Sequence, residues 1–100
     1  MTDAQVSIVI TNKKGLHARA AAKFVKVAGQ FDAKVCVAKT AGAGVVQGAE
    51  AVESSGGSIL GLMMLGGECG ATLRIRGSGP QAAMAVDELK KLVENRFGEE

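Results

Sequence analysis

The order of strand-like and helix-like segments is the feature that most constrains the fold of this chain. Apolar and β-branched residues predict strands at 5–10, 32–39, 49–55 and 71–76. In the last of these strands, alternation predicts Leu73 and Ile75 facing inward and Thr72, Arg74 and Arg76 facing outward. Apolar residues at helical spacing predict helices at 18–28 and 81–96, and a short helix is assigned to 59–65. Since every element must bury an apolar face, one sheet with helices on one face is the economical arrangement for this β-α-β-β-α-β-α order.

Composition excludes several classes of function. A chain of 100 residues fits a single domain over 1–100, and its 47% hydrophobic content supports a modest core. A formal net charge of +2 and three phenylalanines, with no Trp or Tyr, argue against nucleic-acid binding. Residues 1–5 do not resemble a signal peptide and no apolar run reaches the length of a membrane span. We therefore expect a cytoplasmic chain without membrane insertion.

The cysteine and histidine content argues against a metal site. Cys36 and Cys69 lie far apart and in no metal-ligand spacing, and the chain has one histidine. We therefore predict neither a metal nor a cofactor. Both cysteines are expected to be reduced, buried thiols that pack as small apolar residues.

The two longer predicted helices have recognisable ends and buried stripes. Gly29 is expected to end the first helix in a left-handed conformation, and Pro80 to lie in the first turn of the last one. Asp87 and Lys91 are spaced as a helix-supporting ion pair. The residues expected to face the core are Ala18, Ala21, Ala22, Val25 and Ala28, beside Phe24, in the first helix and Ala82, Ala85, Val86, Leu89, Leu92 and Val93 in the last.

The only histidine, His17, lies where the turn after the first strand gives way to the first helix. At or beside the helix N-cap it is close to unpaired N–H groups and the positive end of the helix dipole, which favour an anion. Imidazole is a nucleophile that can carry a phosphoryl group near neutral pH, and Arg19 offers a guanidinium suited to phosphate. These residues indicate a phosphohistidine site, although a histidine at a helix start is more often a cap or a surface residue.

The run 59–65 contains more apolar side chains than one short helix can bury. We interpret it as a helix capped by Ser58, with a buried strand as the competing interpretation. The apolar residues left at the surface, represented by Ile59, Leu60 and Met63, are expected to form a docking patch, because exposed apolar clusters mark interaction sites. The alternative is that these side chains belong to the core.

Gly42, Gly44 and Gly48 follow a predicted strand, as glycines do in a dinucleotide-binding turn. No amphipathic helix follows them, so we favour a long hairpin loop and keep nucleotide binding as an outside alternative.

Two segments resemble motifs of the histidine-containing phosphocarrier (HPr) family of the bacterial phosphoenolpyruvate-dependent phosphotransferase system. The first is Gly-Leu-His-Ala-Arg at 15–19, followed by Ala-Ala-Lys-Phe-Val at 21–25. The second is Ser-Ile-Leu-Gly-Leu-Met-Met-Leu-Gly at 58–66, which is similar to the family's regulatory-serine helix. Together with the element order, the resemblance covers nearly the whole chain.

The resemblance implies an α+β open-faced sandwich, with a four-stranded antiparallel sheet in the order 1-4-2-3 and three helices on one face. It implies a monomeric phosphoryl carrier, not an enzyme, in which His17 accepts a phosphoryl group from phosphorylated enzyme I. His17 would pass that group to a histidine of an enzyme IIA domain, while Arg19 neutralises the phosphate. Ser58 matches the serine that HPr kinase/phosphorylase modifies in bacteria that have this enzyme.

Two features depart from the family pattern. Ala20 follows Arg19 where the family usually has proline, a residue that pre-sets the first helical turn. The Gly-rich stretch 40–49 lengthens the connection between the second and third strands. Two other functions stay open: a regulatory carrier in a nitrogen-related phosphotransferase chain, and a signalling module acting through Ser58 alone. The presence of both His17 and Arg19 argues against the second.

Overall fold

The computed structural model describes residues 3–46 and 52–98. One antiparallel sheet contains β1 (Asp3–Val9), β2 (Lys34–Ala41), β3 (Glu53–Ser55) and β4 (Thr72–Ser78), in the order β1-β4-β2-β3. The helices are α1 (Ala18–Ala28), α2 (Ile59–Met64) and α3 (Ala82–Glu94), and a short 3-10 turn follows at Arg96–Gly98. This confirms the expected open-faced α+β sandwich and its 1-4-2-3 strand order.

The sheet has an apolar face under the helices and a polar face opposite. In the centre of the sheet Ile75 pairs with Val6 on one side and with Val37 on the other. Because side chains alternate between the two faces of a strand, these residues share the inner face, and Ile75 and Val37 are fully buried. On the outer face Arg74 and Arg76 both form ion pairs with Glu53, at 3.4 and 2.8 Å. The predicted directions of the β4 side chains are confirmed.

The bounds predicted for α1 are confirmed, but its buried stripe is rotated from the prediction. Ala18 and Ala22, expected in the core, are exposed. The stripe is centred on Phe24, whose large ring is fully buried and sets the rotation of the helix. Its other buried members are Ala20, Ala21 and Ala28.

The prediction that Gly29 ends α1 in a left-handed conformation is wrong. Gly29 has φ −70° and ψ −9°, and its N–H donates to the Val25 carbonyl at 2.9 Å. The backbone therefore leaves α1 through right-handed turns, with Phe31 N–H donating to the Ala28 carbonyl.

Two hydrogen bonds join Asp32, which precedes β2, to Gln81, which precedes α3, and both elements begin later than predicted. Asp32 N–H donates to Gln81 Oε1 at 2.7 Å, and Gln81 N–H donates to the Asp32 carbonyl at 3.0 Å. Asp32 is thus withdrawn from β2, and Gln81 is the N-cap of α3. Pro80 therefore precedes the helix, which corrects the expectation that it lies in the first turn. It occupies a turn closed by Ala82 N–H on the Gly79 carbonyl.

Helix α3 and Phe97, which follows it, complete the core. The predicted stripe of α3 is buried except for Leu92, which is half-buried, and Lys91 Nζ lies 3.2 Å from Asp87 Oδ2 as predicted. Phe97 is fully buried although its φ of 55° is in the left-handed region. Its carbonyl accepts a hydrogen bond from Lys23 Nζ at 2.6 Å, so burial and this bond offset the backbone strain.

Two further expectations need correction or lie outside the described residues. Cys69 is exposed in the loop before β4, and Cys36 is half-buried on the outer face of the sheet, so the thiols are not both buried. The described part of the third strand is Glu53–Ser55, whereas 49–51 and Gly48 lie outside the described residues.

Candidate functional site

His17 is the N-cap residue of α1, as predicted. Its backbone is extended, with φ −78° and ψ −178°, and its carbonyl accepts the Ala21 N–H at 2.8 Å. Its Nδ1 accepts the Arg19 backbone N–H at 3.3 Å, which is how an N-cap side chain satisfies a first-turn donor. Because a ring nitrogen that accepts a hydrogen bond carries a lone pair, Nδ1 is the unprotonated nitrogen in this arrangement.

Backbone contacts fix the loop that precedes His17. Leu16 N–H donates to the Gly67 carbonyl at 2.7 Å, in the turn that follows α2. Gly15 has φ 63°, and a Cβ on it would collide with the Gly67 carbonyl oxygen. At the base of the loop the buried Asn12 donates from Nδ2 to the Gly15 carbonyl at 2.8 Å. The position of His17 is therefore set by the turn after α2 as well as by α1.

The sequence on either side of His17 is cationic. No acidic residue occurs between Asp3 and Asp32 in the sequence. The same stretch contains five basic residues: Lys13, Lys14, Arg19, Lys23 and Lys26. Arg19 is exposed in the first turn of α1, and that turn has no acidic side chain. These charges and the helix dipole favour an anion at His17. The net charge of the whole chain hides this asymmetry, whereas the distribution of charge along the sequence would have revealed it.

The predicted docking patch is exposed. The run is the short helix α2, which excludes the competing interpretation as a buried strand. Ile59, Leu60 and Met63 lie at its surface, whereas Leu62 is fully buried. Met64, which the sequence analysis did not include, is also exposed. We define these exposed residues, Ile59, Leu60, Met63 and Met64, as the α2 patch.

The structure brings the α2 patch and His17 together through the turn after α2. Met63 accepts the Gly66 N–H, and the next residue, Gly67, accepts the Leu16 N–H. Helix α2 also packs against α1. The C-terminal end of the α2 patch is therefore beside the loop that carries His17.

Ser58 is at the other end of α2. It is the N-cap, and its Oγ accepts the Gly61 N–H at 3.0 Å. With a rise of about 1.5 Å per residue, the six residues of α2 separate Ser58 from the end near His17 by roughly 9 Å. Ser58 therefore adjoins the α2 patch without joining the His17 loop.

Sequence reasoning missed a buried cation close to the site. Lys39, near the end of β2, has a side chain that is only 8% exposed. Its Nζ donates to the carbonyls of Ala43 at 2.5 Å and Gly66 at 2.8 Å. Its third partner is Glu68 Oε1, at 2.6 Å. A single lysine at a strand end gives no sequence signal for such long-range contacts.

The same contacts lower the pKa of Glu68. Its Oε2 accepts the Ala43 N–H at 2.7 Å, and this bond, followed by the hydrogen bond from Lys39, lowers the pKa of Glu68 from 4.5 to about 2. Glu68 is therefore an anion at neutral pH. Within residues 3–46 and 52–98, no group of three or more His, Cys, Asp or Glu is arranged to hold a metal ion. In the same residues no helix has the length and apolar character that a membrane span requires.

Comparisons with known proteins identify the family of this chain. The family model for the PTS HPr component phosphorylation site matches residues 4–95. Phosphocarrier protein NPr of Shewanella violacea is 38% identical over 99 residues, covering 99% of this chain and 98% of the relative. Phosphocarrier protein HPr of Pseudomonas aeruginosa is 40% identical over 94 residues, covering 94% of each chain.

The fold comparison gives the same result. The crystal structure of HPr-C-His from Thermoanaerobacter tengcongensis has a TM-score of 0.81 and 34% sequence identity to this chain, covering 97% of it and 98% of the crystallised chain. Sequence, fold and the place of the histidine thus converge, and the chain belongs to the HPr family of phosphocarrier proteins of the phosphotransferase system.

Proposed function

We propose that this chain accepts a phosphoryl group on His17 Nδ1 from phosphorylated enzyme I and passes it to an enzyme IIA domain. The observation that carries the proposal is the hydrogen bond from the Arg19 N–H to Nδ1, which places the ring lone pair at the N-terminus of α1. In the acceptance step that lone pair attacks phosphorus while the bond from phosphorus to the donor breaks. The other ring nitrogen keeps its proton, and the product is a phosphoramidate.

The N-terminus of α1 supplies the groups that would stabilise the phosphorylated state. Attachment of phosphorus to Nδ1 replaces the lone pair that now accepts the Arg19 N–H, so phosphate oxygens become the new acceptors of first-turn amides. The exposed Arg19 guanidinium adds a charge-assisted contact, and no acidic residue in the first turn of α1 opposes it. Ala20 is fully buried and removes none of these groups.

The α2 patch is proposed as the surface that docks both partners in turn. It is apolar and exposed, and its C-terminal end adjoins the His17 loop, so a protein bound there reaches the imidazole. A carrier that meets two partners needs a small contact that forms and dissolves quickly. Methionine suits this because its flexible thioether adapts to different surfaces.

Ser58 is proposed as a regulatory phosphorylation site for an HPr kinase/phosphorylase. A phosphate on the N-cap of α2 is compatible with the helix dipole, so the fold would survive. The same phosphate would place nearly two negative charges beside the apolar α2 patch and weaken docking.

The proposal concerns a monomeric, single-domain carrier without cofactor in the cytoplasm, where Cys36 and Cys69 stay reduced. A regulatory carrier in a nitrogen-related phosphotransferase chain is the second candidate. The observation that supports it is the Shewanella violacea relative named NPr, which matches about as well as the relative named HPr.

Incubation with enzyme I and labelled phosphoenolpyruvate tests the proposal. Wild type should acquire an acid-labile label that His17→Ala lacks, whereas the control Ser58→Ala should keep it. Normal labelling of His17→Ala contradicts the assignment. Transfer of the label to purified enzyme IIA domains of sugar-specific and nitrogen-related type then separates the two candidate functions.

A further inference from the structure

We propose that Lys39 and Glu68 are positioning residues for His17. The pair fixes the turn at 66–68, whose Gly67 carbonyl accepts the Leu16 N–H. By fixing this turn, the pair sets the rate at which His17 accepts and donates its phosphoryl group. The inference rests on the proposed function of His17 as a phosphoryl carrier. The contacts of the pair include Gly42 and Ala43, which belong to the Gly-rich connection between β2 and β3.

The ammonium of Lys39 makes two hydrogen bonds and one ion pair. Its Nζ donates to the carbonyls of Ala43 and Gly66 and lies 2.6 Å from Glu68 Oε1. A charge on a side chain that is only 8% exposed is costly unless it is paired and hydrogen-bonded, so these three partners are held in a fixed relation to each other. One of them belongs to the connection after β2 and two belong to the turn after α2.

Glu68 closes the contact from the other side. Its Oε2 accepts the Ala43 N–H, so both backbone polar groups of Ala43 are used by the Lys39–Glu68 pair. Gly42 permits this close approach. Its φ is 129°, and a Cβ on it would lie 2.8 Å from Glu68 Oε2 and 2.9 Å from Lys39 Cε. Position 42 therefore requires glycine, both for its backbone conformation and for the space that the Lys39 and Glu68 side chains occupy.

The turn at 66–68 transmits this constraint to His17. Gly66 and Gly67 are adjacent, and while the Gly66 carbonyl accepts from Lys39, the Gly67 carbonyl accepts the Leu16 N–H. Leu16 immediately precedes the N-cap. A displacement of the turn therefore moves the loop that orients the imidazole, and a misplacement of about 1 Å can cost roughly a hundredfold in rate.

Two properties keep the pair formed under working conditions. The pKa of Glu68 is about 2, so its carboxylate is charged at neutral pH. The Gly66 carbonyl is also at the C-terminal end of α2, where a cation is favoured by the helix dipole.

The test is the kinetics of phosphorylation by enzyme I in Lys39→Met, Glu68→Gln and Gly42→Ala. Lys34→Met is the matched control, since Lys34 is in the same strand but exposed. Val86→Ala, in α3 against the sheet, controls for lost stability. We expect kcat to fall about tenfold in the three variants while KM changes by less than about twofold, and both controls to keep the wild-type kcat at a temperature where all variants are folded. Glu68→Gln decides the matter if Lys39→Met does not fold, because Glu68 is 42% exposed.

A second measurement does not depend on phosphoryl transfer. In ¹⁵N NMR spectra of Lys39→Met or Glu68→Gln, the Leu16 amide should exchange with solvent about tenfold faster than in wild type, and the His17 ring signals should shift. A wild-type kcat in folded Lys39→Met and Glu68→Gln overturns the inference, as does an equal loss of kcat in Val86→Ala. If wild type accepts no phosphoryl group, the proposed function fails, and unchanged Leu16 exchange and His17 signals then overturn the positioning role separately.

Discussion

Leu60 is the residue at which docking and core packing predict opposite results. It is 68% exposed in α2, so about two-thirds of its surface is still available to a partner. Complete burial of a leucine side chain is worth about 1.5–3 kcal/mol, so coverage of this remainder contributes about 1–2 kcal/mol to binding. Leu60→Glu forfeits that contribution and adds a charge to an apolar contact, and we expect Kd for enzyme I to rise at least about tenfold.

The fold should tolerate this substitution. Glutamate is a good helix former, and in the first turn of α2 its charge is favoured by the helix dipole. Met84→Glu is the matched control, because Met84 is 56% exposed on α3 and outside the α2 patch. Calorimetric titration with enzyme I gives the Kd of each variant, and a thermal melt gives its melting temperature. A Leu60→Glu variant with unchanged Kd refutes the docking role, and one that unfolds while Met84→Glu does not shows that Leu60 is needed for the stability of the fold.

Three other substitutions test separate parts of the site. Arg19→Ala should slow phosphoryl transfer roughly tenfold to a hundredfold, since a charge-assisted hydrogen bond is worth about 1.5–3 kcal/mol. Arg19→Lys should restore only part of the rate, and stopped-flow transfer with the exposed Lys34→Ala of β2 as control measures both. Ser58→Asp should keep the wild-type melting temperature, whereas His17 should be phosphorylated more slowly. A wild-type rate of phosphorylation would show that Ser58 acts only as a helix cap. Because the folded-state pKa of Glu68 lies below its usual value, its stabilising contribution is complete above pH 4.5 and is lost as the pH falls toward 2. The difference in melting temperature between wild type and Glu68→Gln should therefore be constant near neutral pH, shrink as the pH falls below 4.5 and vanish only below about pH 2, where a persisting difference contradicts the ion pair.

Local sequence patterns predicted the elements that local physics controls. The helix signal at 18–28 has the bounds of α1, and the serine before the apolar run 59–65 is the cap of α2. Strand alternation likewise placed Leu73 and Ile75 on the inner face. In each case the side-chain period or a capping hydroxyl acts within a few residues.

Long-range contacts explain where the prediction failed. The start of β2 depends on the hydrogen bond between Asp32 and Gln81, which are distant in sequence. The rotation of α1 depends on the position in the core where the Phe24 ring is buried. The Lys39–Glu68 pair is invisible locally for the same reason, because its members are brought together only by the sheet and the turn after α2. Gly29 has a right-handed conformation because glycine permits the left-handed one without requiring it.

The most direct test of the central claim is an NMR measurement of where phosphorus is attached. Chain labelled with ¹⁵N is incubated with enzyme I and phosphoenolpyruvate, and coupling between ³¹P and the ring nitrogens of His17 is recorded. The geometry at the N-terminus of α1 predicts one-bond coupling to Nδ1, together with a shift of the Arg19 amide signal as its N–H turns from Nδ1 to a phosphate oxygen. Coupling to Nε2 instead, or a chain that stays unphosphorylated with active enzyme I, contradicts the account.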